Sequence, residues 1–231
     1  MPCAFVTALV LIYALWPEPK VDPAPSLPSP NGYDDFIKAG QLLMGSISAD
    51  FARMPREELQ SCIGTNQEPL RLVRLGLTRE CRVPTEDSMA YMQKHLADLS
   101  SVKGLALLLS AEGRLAEAEV RYDDAAKNYL EVMHFGQASA HGGLIIDKLV
   151  SVAIENIGLA GLERIADRLN TLSCQKTIQS LEEIDALPDS AAKYVARDRQ
   201  WGGNATDTSA LSAWIQSAWM TKSLFPHRQN D

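Results

Sequence analysis

The sequence predicts an all-α domain, either an irregular multi-helix bundle or a short α-solenoid-like array of antiparallel helical hairpins. Apolar residues recur at spacings of three and four along most of the chain from residue 33 onward, which is the period of a helix with one buried face. Residues that favour helix starts precede several of these segments. No stretch combines sustained alternation with β-branched residues, so we predict no sheet.

Composition and charge narrow the class of protein. Hydrophobic residues make up 46% and charged residues 22% of the 231 residues, which is the balance of a folded globular protein. That length suits one domain with a sizeable core, which we assign to residues 33–231. The net charge of -7 provides no basic field to attract phosphates, which argues against nucleic acid as a partner.

The first 32 residues are predicted to form an anchor followed by a spacer. Residues 1–16 contain an uncharged apolar run that is shorter than the about 20 residues needed to span a bilayer and close to a signal-peptide core. Residues 17–32 are rich in proline, which favours an extended polyproline linker. We therefore expect a membrane-anchored or exported protein of the cell envelope. An ordinary buried N-terminal element and a proline-rich peptide ligand are the alternatives.

The helices of the body follow in order. Asn31 is expected to cap the first, Pro55 followed by two glutamates to begin the second, and Thr85 to cap another. A separate helix is predicted from Val102 to Arg121, followed by its hairpin partner over residues 124–135. The apolar segment 144–169 is the candidate core helix, and its charged residues exclude a membrane span. Shorter helices are expected over residues 174–186, 190–200 and 209–224.

The predicted hairpin resembles one degenerate copy of a tetratricopeptide repeat. Gly113, Tyr122, Ala125 and Tyr129 stand at the spacing of the small and aromatic positions of that repeat. The resemblance implies two closely packed antiparallel helices and a protein partner, with Glu112, Tyr122 and Tyr129 as candidate binding residues. Because a single repeat cannot bury its own face, the hairpin must pack on other helices. The layout of apolar leader, proline spacer and helical body also resembles that of bacterial envelope-associated proteins.

The predicted C-terminal helix, residues 209–224, carries no acidic residue and has two tryptophans, Trp214 and Trp219, on its apolar side. Interfacial helices combine tryptophan and lysine in this way, and Lys222 is present. Trp214 and Trp219 are therefore candidate binding residues. The alternative is that this apolar side docks on the core of the domain itself.

Few residues suggest catalysis or metal binding. Glu131 and His134 have the Glu-x-x-His spacing of metal sites in helical bundles, but the motif occurs once. One helical face could gather His134, His141 and Asp147, and a histidine beside a carboxylate can act as a general base. Alternatively, His141 lines a loop and Asp147 edges a solvated stripe with Ser151. We assign no catalytic residue, no metal ligand and no cofactor.

Two smaller features allow alternatives. Cys62 and Cys81 flank a helical hairpin and could form a disulfide, or they could be small buried apolar groups. Arg197, Arg199 and Trp201 precede two glycines, which suggests either an Arg-on-Trp contact at a turn or a hinge.

Together these observations predict a membrane-tethered or exported protein-interaction or scaffolding module. One alternative is a structural envelope protein whose C-terminal helix contacts lipid. The other is a metal-dependent enzyme that uses Glu131, His134, His141 and Asp147.

Overall fold

A computed structural model describes residues 26–45, 54–186 and 189–204, and within these ranges every regular element is helical. The predicted all-α class is therefore confirmed, as a packed multi-helix bundle. The predicted anchor, most of the linker and the predicted helix 209–224 lie outside the described residues. The eight described α-helices, with one 3₁₀ turn at Ala166–Arg168, are α1 Gly32–Gln41, α2 Arg56–Thr65, α3 Gln67–Leu77, α4 Met89–Ala118, α5 Tyr122–Ala140, α6 Ile145–Ile165, α7 Thr171–Asp185 and α8 Ala191–Asn204.

Asn31 begins α1, as predicted, and also fixes a distant loop. Its Oδ1 accepts a hydrogen bond from the Tyr33 backbone N–H at 3.2 Å, which is an N-cap bond. The same amide pairs with the backbone of Arg82, because Oδ1 accepts from the Arg82 N–H at 3.0 Å and Nδ2 donates to the Arg82 carbonyl at 2.8 Å. Asn31 therefore ties the start of α1 to the segment between α3 and α4.

α4 is one helix of 30 residues, so the predicted separate helix from Val102 to Arg121 is wrong at its start. Its cap is Ser88 rather than Thr85, since the Ser88 Oγ accepts from the Tyr91 N–H at 3.1 Å. No proline or glycine lies between Leu99 and Val102, so nothing in the sequence interrupts the helix there. α4 carries a large share of the buried leucines, and helices α1, α2, α3, α5 and α6 all contact it.

Helices α4, α5 and α6 follow one another through the short connections 119–121 and 141–144, which make neighbouring helices antiparallel. α6, expected to be the core helix, is instead exposed along one side, where Leu149 and Leu159 face outward. The central position belongs to α4. α7 packs on α5, and α8 packs on α6.

Cys62 and Cys81 are both free thiols, so the disulfide considered from the sequence does not form. Cys81 is buried, its Sγ lies 3.4 Å from the Gly76 carbonyl oxygen, and burial raises the pKa of its thiol to about 12. The alternative, a small apolar group in the core, is confirmed for Cys81. Among the described residues, none of the helices combines the length and the apolar character that crossing a membrane requires.

Trp201 lies inside α8 and is buried, so the predicted turn or hinge is wrong. Its indole N–H donates to the Glu86 carbonyl at 2.8 Å, and its ring packs with Met92 and Leu144. Arg197 lies over the Tyr194 ring, 5.7 Å from its centroid, rather than over Trp201. Trp201 thus attaches α8 to the starts of α4 and α6.

Candidate functional site

An open groove of about 620 Å³ lies between the end of α3, the middle of α5 and the end of α7. Its lining mixes apolar side chains with charged groups of both signs. The lining residues are Arg74, Leu77, Thr78, Lys127, Asn128, Leu130, Glu131, His134, Ser180, Glu183 and Ile184.

Arg74 is held in the groove by two carboxylates from two other helices. Its Nε and Nη2 donate to Glu131 of α5 at 3.1 and 2.9 Å, and Nη2 donates to Glu112 of α4 at 2.5 Å. Partial burial disfavours the charged guanidinium, but these hydrogen bonds outweigh it and raise the pKa of Arg74. Burial raises the pKa of Glu112, and Arg74 acts in the opposite direction. Arg74 therefore crosslinks α3, α4 and α5.

His134 offers the groove a neutral imidazole. Burial lowers the pKa of His134, and the nearby Glu131 carboxylate opposes that shift. A neutral imidazole can donate through one nitrogen and accept through the other, so it can contact a polar group of either kind. His134 and Glu131, which lie three residues apart on α5, both line the groove.

The α7 wall of the groove is thinly packed. Ile184 is the buried residue of α7, whereas Leu172 and Ile178 are 60% and 55% exposed. The helix begins at Asn170, whose side chain accepts from the Ser173 N–H at 3.0 Å. A segment with few buried apolar contacts opens at low cost in free energy, so this wall can move relative to α5.

The predicted hairpin surrounds Tyr129, whose ring is fully buried. A Cβ atom at Gly113 or at Gly161 would lie 2.5 or 2.4 Å from that ring, so both glycines make room for it. The Tyr129 hydroxyl donates to Glu117 and accepts from the Arg164 Nη2 at 3.0 Å. Gly113 was identified from the sequence. Gly161 was missed because it lies in α6, 32 residues after Tyr129.

A second cluster, the Asp147 network, consists of Asp147, His95 and Tyr91 and is largely buried. The His95 Nε2 lies 2.8 Å from the Asp147 Oδ1, and the other carboxylate oxygen accepts from the Leu144 N–H at 2.7 Å. The Tyr91 ring stacks on His95 with its hydroxyl donating to the Pro84 carbonyl. Asp147 does not edge a solvated stripe as considered above, because it is 1% exposed.

Gly143 and Tyr33 lie near the Asp147 network. A Cβ at Gly143 would lie 2.5 Å from the Asp147 Oδ2, so the glycine leaves space for the carboxylate. The Tyr33 hydroxyl is buried with no hydrogen-bond partner among the described residues, and burial, together with the charge of Asp147, raises its pKa. Because His95 and Asp147 are both closed off from solvent, the pair holds α4 to α6 and has no access to a substrate.

His95 and Tyr91 were not identified from the sequence. A signal was present, because His95 lies on the apolar stripe of α4 between Met92 and Leu99. A histidine in such a stripe needs a buried polar partner.

The four residues of the enzyme alternative have different partners. Glu131 binds Arg74, Asp147 binds His95, and the His141 Nδ1 lies 3.8 Å from the Asp189 Oδ2. His134 lies in the groove. Throughout ranges 26–45, 54–186 and 189–204, no three His, Cys, Asp or Glu side chains are grouped so that they could hold a metal ion.

The candidate binding residues differ in accessibility. Glu112 forms an ion pair with Arg74, and its side chain is 17% exposed. Tyr122 is half-buried against the residues that pack with Tyr129, and Tyr129 itself is fully buried. Trp214 and Trp219 lie outside the described residues.

Comparisons with known proteins add no relative. The chain matches no protein-family model, no curated protein and no solved structure at a significant level. The resemblance to a tetratricopeptide repeat thus stays a prediction from its residues.

Proposed function

We propose that this domain is a protein-interaction module that binds a segment of another protein in the groove between α3, α5 and α7. The observation that supports this proposal is the groove itself, which is open to solvent and is lined by both apolar and charged side chains. Its rigid side consists of α3 and α5, which Arg74 and Glu131 join. Its other side is the thinly packed α7, which can adjust to an occupant.

The lining indicates the chemistry of the partner. Leu77, Leu130 and Ile184 provide apolar contact area, and the Glu183 carboxylate is exposed at the rim, where it accepts from Gln179 at 3.0 Å. A partner segment that fits has apolar side chains on one side and a basic side chain directed at Glu183.

Peptide display on the full chain tests the proposal. Selected peptides should be amphipathic with a basic residue, and fluorescence anisotropy should give their Kd. Glu183→Arg should weaken binding roughly fivefold, because it reverses a rim charge. Thr78→Trp should abolish binding by filling the groove, since Thr78 lines it and is exposed.

Glu182→Arg is the matched control, because Glu182 is exposed on the same helix but does not line the groove. It should leave the Kd unchanged. Peptides that bind Thr78→Trp as tightly as the parent chain would place the binding surface elsewhere and contradict the proposal.

We also propose that residues 1–16 and the linker 17–32 hold this module at a membrane or in the envelope. The support is the uncharged apolar run in the sequence, which precedes the described residues. Cell fractionation should find the parent chain with membranes and a Leu9→Arg, Leu11→Arg variant in the soluble fraction. The same distribution for both would contradict the tether.

A further inference from the structure

The outer face of α6 carries an apolar stripe that no described residue covers. Leu149, Val152 and Leu159 are 53%, 42% and 41% exposed, and Asn156 lies between them on the same face. We name these four residues the α6 stripe. Their spacing of three, four and three is the spacing of a seam on which a second helix packs.

The surroundings of the α6 stripe suit close approach by another segment. Ala153 and Ala160 flank it with small side chains. Lys148 and Glu155 form an ion pair with each other at 3.1 Å, so their charges offset each other beside the stripe. The exposed Glu163 lies just beyond the C-terminal end of the stripe.

The last turn of α8 packs against the first turn of α6, which leads into the α6 stripe. Trp201, in the last turn of α8, packs with Leu144, and the half-buried Ile146 joins the same cluster. Ile146 is three residues before Leu149, which is about one helical turn. Residues 205–231 continue from this point and lie outside the described residues.

We propose that residues 209–224 of the same chain cover the α6 stripe and run in the same direction as α6. The connection 205–208 reaches about 13 Å when extended. The stripe is about 15 Å long from residue 149 to residue 159, at the rise of an α-helix. A connection this short lets the segment begin only at the near end of the stripe.

The segment matches the stripe in spacing and in charge. Leu211, Trp214 and Ala218 repeat the spacing of Leu149, Val152 and Asn156. Lys222 is the only charged residue between 209 and 224, and this direction brings it to the end of the stripe where Glu163 lies. Because the segment is tethered, its effective concentration at the stripe is on the order of millimolar, which favours it over a separate molecule.

Tryptophan fluorescence of the full chain tests this inference. In a Trp16→Phe background, Leu149→Lys together with Leu159→Lys should shift emission to longer wavelength and increase quenching by acrylamide, because Trp214 and Trp219 lose their cover. Leu172→Lys together with Ile178→Lys is the matched control on α7 and should change neither signal. Circular dichroism checks that each variant keeps its helix content.

A charge exchange tests the inference without substituting the leucines of the stripe. Glu163→Lys should increase quenching, and adding Lys222→Glu should restore the parent value. Unchanged emission in the stripe variant, or no restoration by the second substitution, would overturn the inference.

Two further outcomes would assign another occupant and also overturn it. If light scattering shows a dimer that the stripe variant converts to a monomer, a second copy covers the stripe. If the emission of the parent chain shifts to shorter wavelength only with anionic phosphatidylglycerol vesicles, a lipid surface does. The groove experiment is independent, because none of these substitutions lies in the groove.

Discussion

The region around Tyr129 in α5 and the α7 helix, which packs on α5, differ in how firmly they are packed. The Tyr129 ring is enclosed by glycines from α4 and α6, and its hydroxyl joins Glu117 and Arg164. In α7, Ile184 is the buried residue, and Leu172 faces solvent. The difference indicates a rigid platform, formed by α4, α5 and α6 around Tyr129, and an adjustable wall, formed by α7. This arrangement suits binding that does not disturb the core.

The largest expected effect is on the free energy of unfolding, from a substitution in the platform. Tyr129→Ala should lower the free energy of unfolding by about 3 to 5 kcal/mol, because it leaves a cavity between Gly113 and Gly161 that the backbone cannot fill. Leu172→Ala in α7 should change it by less than about 0.5 kcal/mol, because that side chain is largely exposed. Urea denaturation of both variants measures the contrast.

Tyr129→Phe separates packing from hydrogen bonding. It keeps the ring and removes the hydroxyl, so it should cost about 1 kcal/mol. A cost equal to that of Tyr129→Ala would mean that the bonds to Glu117 and Arg164, rather than the enclosed ring, hold the platform together.

The next effect concerns the Asp147 network, which joins α4 to α6 through the contact between His95 and Asp147. Asp147→Ala should cost about 3 kcal/mol, because it leaves His95 buried without its partner. Adding His95→Leu should recover part of that loss, since an apolar side chain needs no partner there. Urea denaturation of the single and double variants gives the coupling, and strictly additive costs would contradict it.

The smallest effect is a pH dependence from the groove. Burial lowers the pKa of His134, so the unfolded chain binds a proton more readily than the folded one. The resulting stability is complete above the unfolded pKa of about 6.5 and is lost as the pH falls toward the folded pKa. Between about pH 7.5 and 5.5, His134→Gln should therefore lose less unfolding free energy than the parent chain.

Lys127→Gln serves as its control, because Lys127 lines the same groove and its substitution leaves the imidazole in place. It should keep the pH dependence of the parent chain. If His134→Gln also keeps the pH dependence of the parent chain, the fold does not protect the His134 imidazole from protonation.

Local sequence signals predicted where several helices begin, but tertiary contacts decide which of two possible caps begins α4. Asn31 and Pro55 were sufficient because a cap acts within one turn. Thr85 and Ser88 are both good caps, and the structure selects Ser88 next to the contact between the Tyr91 hydroxyl and the Pro84 carbonyl. Periodicity alone cannot choose between two such residues.

The site was predicted only in part, because its partners come from distant parts of the chain. Glu131 and His134 were considered from the sequence only as a metal-binding motif, whereas Glu131 pairs with Arg74, which lies 57 residues before it. Asp147 was considered part of a solvated stripe because its partner, His95, lies 52 residues away. A charged residue in an otherwise apolar segment is ambiguous until its partner is known.

Native-state hydrogen exchange of the full chain in low urea tests the central claim most directly. We predict that the amides of α7 exchange by a local opening with a free energy well below that of α4, α5 and α6, and that a selected peptide slows exchange in α7. If α7 exchanges with the same free energy as α4 to α6, the domain opens as one unit and the groove has no adjustable wall.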